Sequence, residues 1–247
     1  MKVALFSDIH SNLEALKAVL SDIEHHKMEK LYCLGDVTGY ATNPSECIQL
    51  LQALKVPTLL GNHDEAVCSR GLPSEFNSHA AKGVHHSKQQ LAKGQIDWLS
   101  RRPRHILLNQ EITLGHANVP ELRWEYVDSK TGIASTFELM TTRILFIGHT
   151  HIPAVLEQTE TCPWILHIPR DLPDQTLKLN ATSRYIINVG SVGQPRDRDP
   201  RACWVSFDTE TQILKMHRVT YDFKPTQEKI HAAGLPEFLA SRLEIGR

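Results

Sequence analysis

The stretch LFIGHTHIP, residues 145–153, places His149 and His151 one residue apart, directly after an apolar run and a glycine. Other apolar runs end in the same kind of residue. FSDIHSN carries Asp8 and His10, LGDVTGY carries Asp36, LLGNHDE carries Asn62, His63 and Asp64, and LGHAN carries His116. Imidazole nitrogen combined with carboxylate oxygen is the donor set of Mn, Fe, Zn, Ni or Co. It speaks against calcium, which takes oxygen alone. Seven ligands are too many for one ion with an open position, and suit two ions that share a bridging carboxylate. Two ions about 3.5–4 Å apart clamp the attacking and leaving oxygens of an in-line displacement at phosphorus.

The elements that would position these groups are legible in the apolar periodicity. Residues 2–6, 31–34 and 56–60 read as buried strands. Asn12 stands where an N-cap belongs, ahead of Leu13, Leu16, Val19, Leu20 and Ile23 at helical spacing, and Asn43-Pro44 opens a second helix. The first sixty residues therefore read β-α-β-α-β, and residues 78–102 as polar helix. Strand-like runs follow at 106–108, 111–114, 144–147, 165–168, 177–179, 185–189, 204–207 and 213–219. The fold class expected is α/β: two mixed sheets packed face to face, helices on the outer faces, as one domain over 1–247 with a hairpin insertion around 158–183. In an extended segment i and i+2 share a side, so Asp8/His10 and His149/His151 each aim at one locus. The carboxyl ends of the strands form the crevice where ligands bind.

Composition sets the outer limits. The chain has 247 residues, 41% hydrophobic and 22% charged, with a formal net charge of −1, so bulk charge gives no nucleic-acid signal. Cys33, Cys47, Cys68, Cys162 and Cys203 are scattered without C-x-x-C spacing, which fits reduced thiols and a cytoplasmic location. The N-terminal apolar run is too short for a signal peptide or a membrane span, so no membrane partner is expected, and an oligomer is left open.

Taken in order, D-x-H, G-D, G-N-H-D, G-H and G-H-T-H resemble the calcineurin-like metallophosphoesterase superfamily, with further similarity in NVGSVGQPRDRDPRACW and AGLPEFLASRL to its small bacterial and archaeal phosphodiesterase-like members. The resemblance implies that Asp8, His10 and His151 hold one divalent transition-metal ion with Asp36, which bridges. Asn62, His116 and His149 complete the second, with manganese among the candidate metals. His63 then resembles the family's general acid or phosphate-contacting histidine, and Asp64 the carboxylate that orients it. The activity implied is phosphate-ester hydrolysis by a metal-bridging hydroxide, on a small diester or nucleotide. Phosphomonoester, phosphoprotein and dinucleoside polyphosphate fit the same chemistry. A non-catalytic protein-binding scaffold is the remote alternative, opposed by the presence of every ligand and of His63. Two positions depart from the pattern: Ala117 follows His116 where the family has glycine, and GDVTGYATNP lacks the arginine of the protein phosphatases.

Blander readings stand beside these. His25/His26 and His85/His86 fall in polar helical stretches and read as solvated. Asn12 reads first as a cap. Arg196 and Arg201, in GQPRDRDPR, fit a charged turn, or Arg196 reaches substrate phosphate bidentately.

Overall fold

A computed structural model describes residues 1–71, 76–119 and 123–247. In chain order the elements are β1 (Lys2–Phe6), α1 (Leu13–His25), β2 (Lys30–Cys33), α2 (Pro44–Ala53), α3 (Asn62–Cys68), α4 (Ser78–Gln90), α5 (Lys93–Ser100), β3 (His105–Asn109), β4 (Ile112–Gly115), α6 (Lys130–Leu139) and β5 (Ile144–Ile147). They continue as β6 (Ala154–Gln158), β7 (Ile165–His167), β8 (Thr176–Lys178), β9 (Arg184–Asn188), β10 (Ala202–Asp208), β11 (Ile213–Val219), α7 (Lys224–Ala232) and α8 (Glu237–Ile245). One sheet has the order β2-β1-β10-β11-β8 and the other β3-β4-β5-β9-β6-β7. Both are mixed: β1 is parallel to β2 and antiparallel to β10, while β5 is parallel to β4 and β9, and β6 antiparallel to β9.

Alternation along each strand builds the layers. Val3 and Leu5 of β1 face Phe146, Ile187 and Val205 between the sheets, whereas Ala4 and Phe6 face outward to Leu16 and Val19 of α1. In β5, Ile144 and Phe146 point between the sheets, while Leu145 and Ile147 pack on Ile133 and Phe137 of α6. A strand covered on both faces has no polar side, which is why β1 and β5 read as unbroken apolar runs. The result is the expected α-β-β-α sandwich.

Several elements differ from the sequence reading. Residues 56–60 form only a single parallel bridge, Thr58 to Cys33. Pro57 brings no N–H to a ladder there, though its carbonyl accepts from Cys33 N at 3.0 Å. The 78–102 stretch is two helices, broken where the Gln95 side chain caps Ala92 N at 3.1 Å. Strand β6 and helices α3, α6, α7 and α8 have no counterpart in the reading. The segment expected as an insertion adds β7 to the edge of one sheet and β8 to the edge of the other. Asn12 does cap α1, its Oδ1 accepting from Ala15 N at 3.1 Å, and its Nδ2 also ties down Gly193 O and Tyr221 Oη. The cysteines are free. No helix among the described residues is long and apolar enough to cross a membrane.

Candidate metal centre

All seven candidate ligands lie past the ends of strands or at the start of α3, and they converge. Asp8, His10 and His151 form one group and Asp36, His116 and His149 a second, with ligand atoms within 4.8 Å of one another in each. Asn62 joins the second, its Oδ1 3.3 Å from His116 Nε2. The pairs do not converge by strand alternation. Asp8, His10, Asp36, His149 and His151 adopt φ of 56°, 48°, 51°, 67° and 63°, so left-handed turns after the strands aim them. Such backbone costs about 1–3 kcal/mol per residue and persists only where the surroundings over-determine it. Ala117 is outside the left-handed region, so the missing glycine after His116 costs nothing.

Hydrogen bonds fix which nitrogen each imidazole offers. His10 Nδ1 donates to Thr38 O at 3.0 Å, His151 Nδ1 to Gln194 O at 2.6 Å and His116 Nδ1 to Leu34 O at 2.9 Å. A carbonyl only accepts, so these rings carry a proton on Nδ1 and turn Nε2 toward the site. His149 is the reverse, with Nε2 donating to Trp124 O at 3.2 Å and Nδ1 left to the site. The Nε2 atoms of His10 and His151 then face each other at 3.1 Å. Two opposed lone pairs at that distance repel unless a cation lies within reach of both. Backbone carbonyls that orient ligating imidazoles are the usual outer support of a metal site.

The carboxylates complete the pattern. Asp36 Oδ1 accepts from His63 N at 2.9 Å, which turns Oδ2 toward both groups: 3.6 Å from His10 Nε2 and 3.4 Å from His116 Nε2. One oxygen thus serves both loci. Asp8 Oδ1 lies 3.4 Å from His151 Nε2 and 3.8 Å from His10 Nε2, with His149 N donating to Oδ2 at 3.0 Å. Both acids are buried. Buried charges are tolerated when paired or when they coordinate metal, and this donor set fits divalent transition metals.

Burial also sets protonation. It lowers His10 and His151 well below the ordinary histidine value, and takes His149 to about 3, with His116 adding. Neutral imidazole is the form that ligates. Burial opposes ionisation of Asp36, yet His116 and His63 outweigh it and hold the carboxyl below its usual range. Burial pushes Asp8 up to about 7 against the pull of His116. His116 is the exception among the imidazoles: burial lowers it, but Asp36 overrides and pushes it up to about 9.

His63 sits at the edge of this cluster, buried, its ring packed against His10, Tyr40 and Phe76 at centroid distances of 4.8, 4.6 and 4.8 Å. Its Nδ1 has no hydrogen-bond partner. Asp64, which the resemblance makes the carboxylate that orients His63, is not hydrogen-bonded to that nitrogen. Asp64 accepts instead from Val37 N, Thr38 N, Thr38 Oγ1 and Gly61 N at 3.2, 3.0, 2.9 and 3.2 Å. Its place in the first turn of α3 points its carboxylate back at the two loops that carry Asp36 and Asn62, away from the neighbouring ring. It acts on His63 only through that scaffold.

A profile of the calcineurin-like phosphoesterase superfamily domain matches residues 1–212, which contain the whole cluster. The chain belongs to the calcineurin-like phosphoesterase superfamily. Like other calcineurin-like phosphoesterases, it is a phosphoester hydrolase. Over 252 aligned positions, 99% of this chain and 98% of the other, it is 37% identical to a protein of Methanocaldococcus jannaschii described only as uncharacterized. A metallophosphoesterase from Sphaerobacter thermophilus shares 35% identity over 100% of this chain and 99% of its own, with a TM-score of 0.87. A Pyrococcus horikoshii protein with 20% identity, covering 100% and 98%, repeats the fold at a TM-score of 0.80.

This phosphoesterase also uses residues that the sequence reading passed over. The Tyr126 ring stacks on His149 at 4.2 Å, and Trp124 O holds that histidine's Nε2. Tyr40 packs on both His10 and His63. No spacing argument finds these aromatics; their only signal is position in the loops beside ligands. Arg196 lies beside the cluster, its Nη2 donating to Gln194 Oε1 at 2.8 Å and Tyr40 Oη at 3.3 Å, while its Nε is buried without a partner. Arg201 stays in the turn, paired with Asp199. Elsewhere, His25, His26 and His85 are exposed as expected, His26 also lying edge-on to Trp204 and His217, whereas His86 is half-buried.

Proposed function

We propose that this phosphoesterase hydrolyses small phosphodiesters or nucleotide esters with two divalent transition-metal ions, drawn from Mn, Fe, Zn, Ni and Co. Asp8, His10 and His151 would hold one ion and Asn62, His116 and His149 the other, with Asp36 shared. The observation that carries this reading is Asp36 Oδ2, placed between His10 Nε2 and His116 Nε2 and pinned through its other oxygen. When bound, such a pair supplies Lewis acidity toward the phosphoryl oxygens and acidifies water.

The protein's own groups supply the rest. His63 is buried against the cluster, and burial lowers it to about 4 over the pull of Asp36; it would serve as the proton donor to the leaving oxygen once an anionic phosphoester beside it raises it. The guanidinium of Arg196, which lines the opening beside the cluster, would grip a non-bridging phosphoryl oxygen, replacing from the loop after β9 the arginine that GDVTGYATNP lacks. Asp64 holds residues 37, 38 and 61 together and so fixes the distance between Asp36 and Asn62. The absence of the protein-phosphatase arginine block favours small esters over phosphoproteins. A cytoplasmic setting is part of the same reading, supported by the free cysteines.

Protein loaded separately with Mn²⁺, Ni²⁺, Zn²⁺ and Fe²⁺ is assayed against matched phosphodiesters, monoesters and dinucleoside polyphosphates. The expected result is metal-dependent turnover with diesters or nucleotide esters preferred. Turnover confined to phosphoproteins, or none above background with any metal, overturns the reading.

A further inference from the structure

Beside the metal centre lies a cavity of about 440 Å³ that none of the chemistry above uses. Its floor is the outer face of the β5-β9-β6 sheet, where the buried side chains Ile147, Ile186 and Leu156 lie beside Ile133 of α6. One wall is the Tyr126 loop and the other is β7, with Trp164 and Leu166. These come from the Pro-rich segment that the sequence marked as an insertion. Tyr126, Ile152 and Leu166 stand 50%, 46% and 48% exposed around it, an unusual concentration of large apolar groups at one opening.

The cavity adjoins the centre. Tyr126, which lines it, is the ring stacked on His149; Thr150, between His149 and His151, lines it too, and so does Arg196. A phosphoester gripped by Arg196 has one organic substituent over this opening. We propose that the cavity is the subsite for a flat, uncharged aromatic group on the substrate, a nucleobase or an aryl ring, held between Tyr126 and Trp164. This rests on the hydrolytic reading above and names the substituent that the reading leaves open. Two aromatic walls and an aliphatic floor suit a ring face. Among the described residues, Asp128 is the one charged residue of the lining apart from Arg196, so a second phosphate beside it meets a carboxylate. The volume is within the roughly 300–1,000 Å³ of small-molecule sites.

Three diesters with the same nitrophenolate leaving group separate the possibilities: thymidine 5′-(p-nitrophenyl phosphate), phenyl p-nitrophenyl phosphate and ethyl p-nitrophenyl phosphate. The metal-loaded protein is expected to favour the aromatic esters over the ethyl ester about tenfold in kcat/KM, the scale of one ring stacked on an aromatic side chain. Trp164→Ala should abolish that preference through KM and leave the ethyl ester within about twofold of wild type. Leu166→Ser, at an exposed position, should weaken the preference in the same direction. Thymidylyl above phenyl assigns the subsite to a nucleobase, and equality assigns it to a simple aryl group. A preference that survives Trp164→Ala, or an equal loss for all three esters, overturns the proposal. If no ester turns over, the hydrolytic reading fails and calorimetric binding of thymidine 5′-monophosphate still decides the pocket: about tenfold weaker binding to Trp164→Ala supports it, and equal binding refutes it.

Discussion

Gly39→Ala presses on His63 without substituting it, and meets the ligand His10 only at ordinary contact, 3.4 Å from its Nδ1. Gly39 has φ +98°, and a Cβ built there lies 2.4 Å from His63 Nδ1 and 3.2 Å from its Cγ. Ordinary contact begins near 3.4 Å, so the ring must retreat by 3.4 − 2.4, about 1 Å, away from Gly39. His10, Tyr40 and Phe76 already pack around the ring, so it tilts within their cage and loses its aim. A displacement of that size costs about a hundredfold in rate when the group is a positioned acid. The left-handed backbone adds about 1–2 kcal/mol of strain, a drop in Tm of a few degrees. Gly94→Ala is the control, since an added Cβ there meets nothing within 4 Å. The assay is kcat for a nitrophenyl ester and an alkyl ester at fixed metal loading, with metal content and Tm measured on the same samples. The alkyl ester should lose about a hundredfold and the nitrophenyl ester less, because a good leaving group needs little protonation. Wild-type kcat on both esters, or an equal loss on both, refutes the reasoning.

His63→Ala should retain both metal ions and lower kcat by about 10²–10⁴, again more for alkyl than for nitrophenyl esters. Because His63 also lies within reach of His10 and Asp36, loss of a metal ion in this variant makes it a ligand instead. Away from the centre, burial and then His26 lower the His217 imidazole to about 4, while it stacks on Trp204 at 3.9 Å. The unfolded chain binds the proton first as pH falls, so this contribution is full above about 6.5 and is lost toward 4. It should cost about 1–2 kcal/mol between pH 7.5 and 5, read by urea unfolding, and His217→Phe should flatten the slope by that amount. An unchanged slope in the variant contradicts the assignment.

The two sheets were legible because β1 and β5 are covered on both faces and leave unbroken apolar runs, and the ligands were legible because each follows such a run. The reason for their convergence was not. Alternation along extended chain brings Asp8 to His10 and His149 to His151 on paper, whereas the molecule uses left-handed turns in which the ligands themselves take the positive φ. Residues 56–60 carry a strand's composition, but Pro57 and a single bridge to Cys33 leave them a loop. Asp64 stands next to His63 in sequence, and adjacency suggested a hydrogen bond; at the start of α3 successive side chains diverge, and the carboxylate turns to the backbone of 37, 38 and 61. Tyr126 and Trp164 were invisible as a pair because 38 positions separate them (164 − 126) and only β7, on the sheet edge, brings them to one cavity.

The central claim is a shared carboxylate between two ions, and metal stoichiometry tests it most directly. Elemental analysis of the purified wild-type protein and of Asp36→Asn, each dialysed against the same limiting Mn²⁺ or Zn²⁺, compares the two sites at once. The account predicts an approach to two ions per chain in the wild type, and in the variant loss from both loci, since Asp36 Oδ2 faces His10 and His116 alike. A single tightly held ion in the wild type, unchanged by Asp36→Asn, contradicts it.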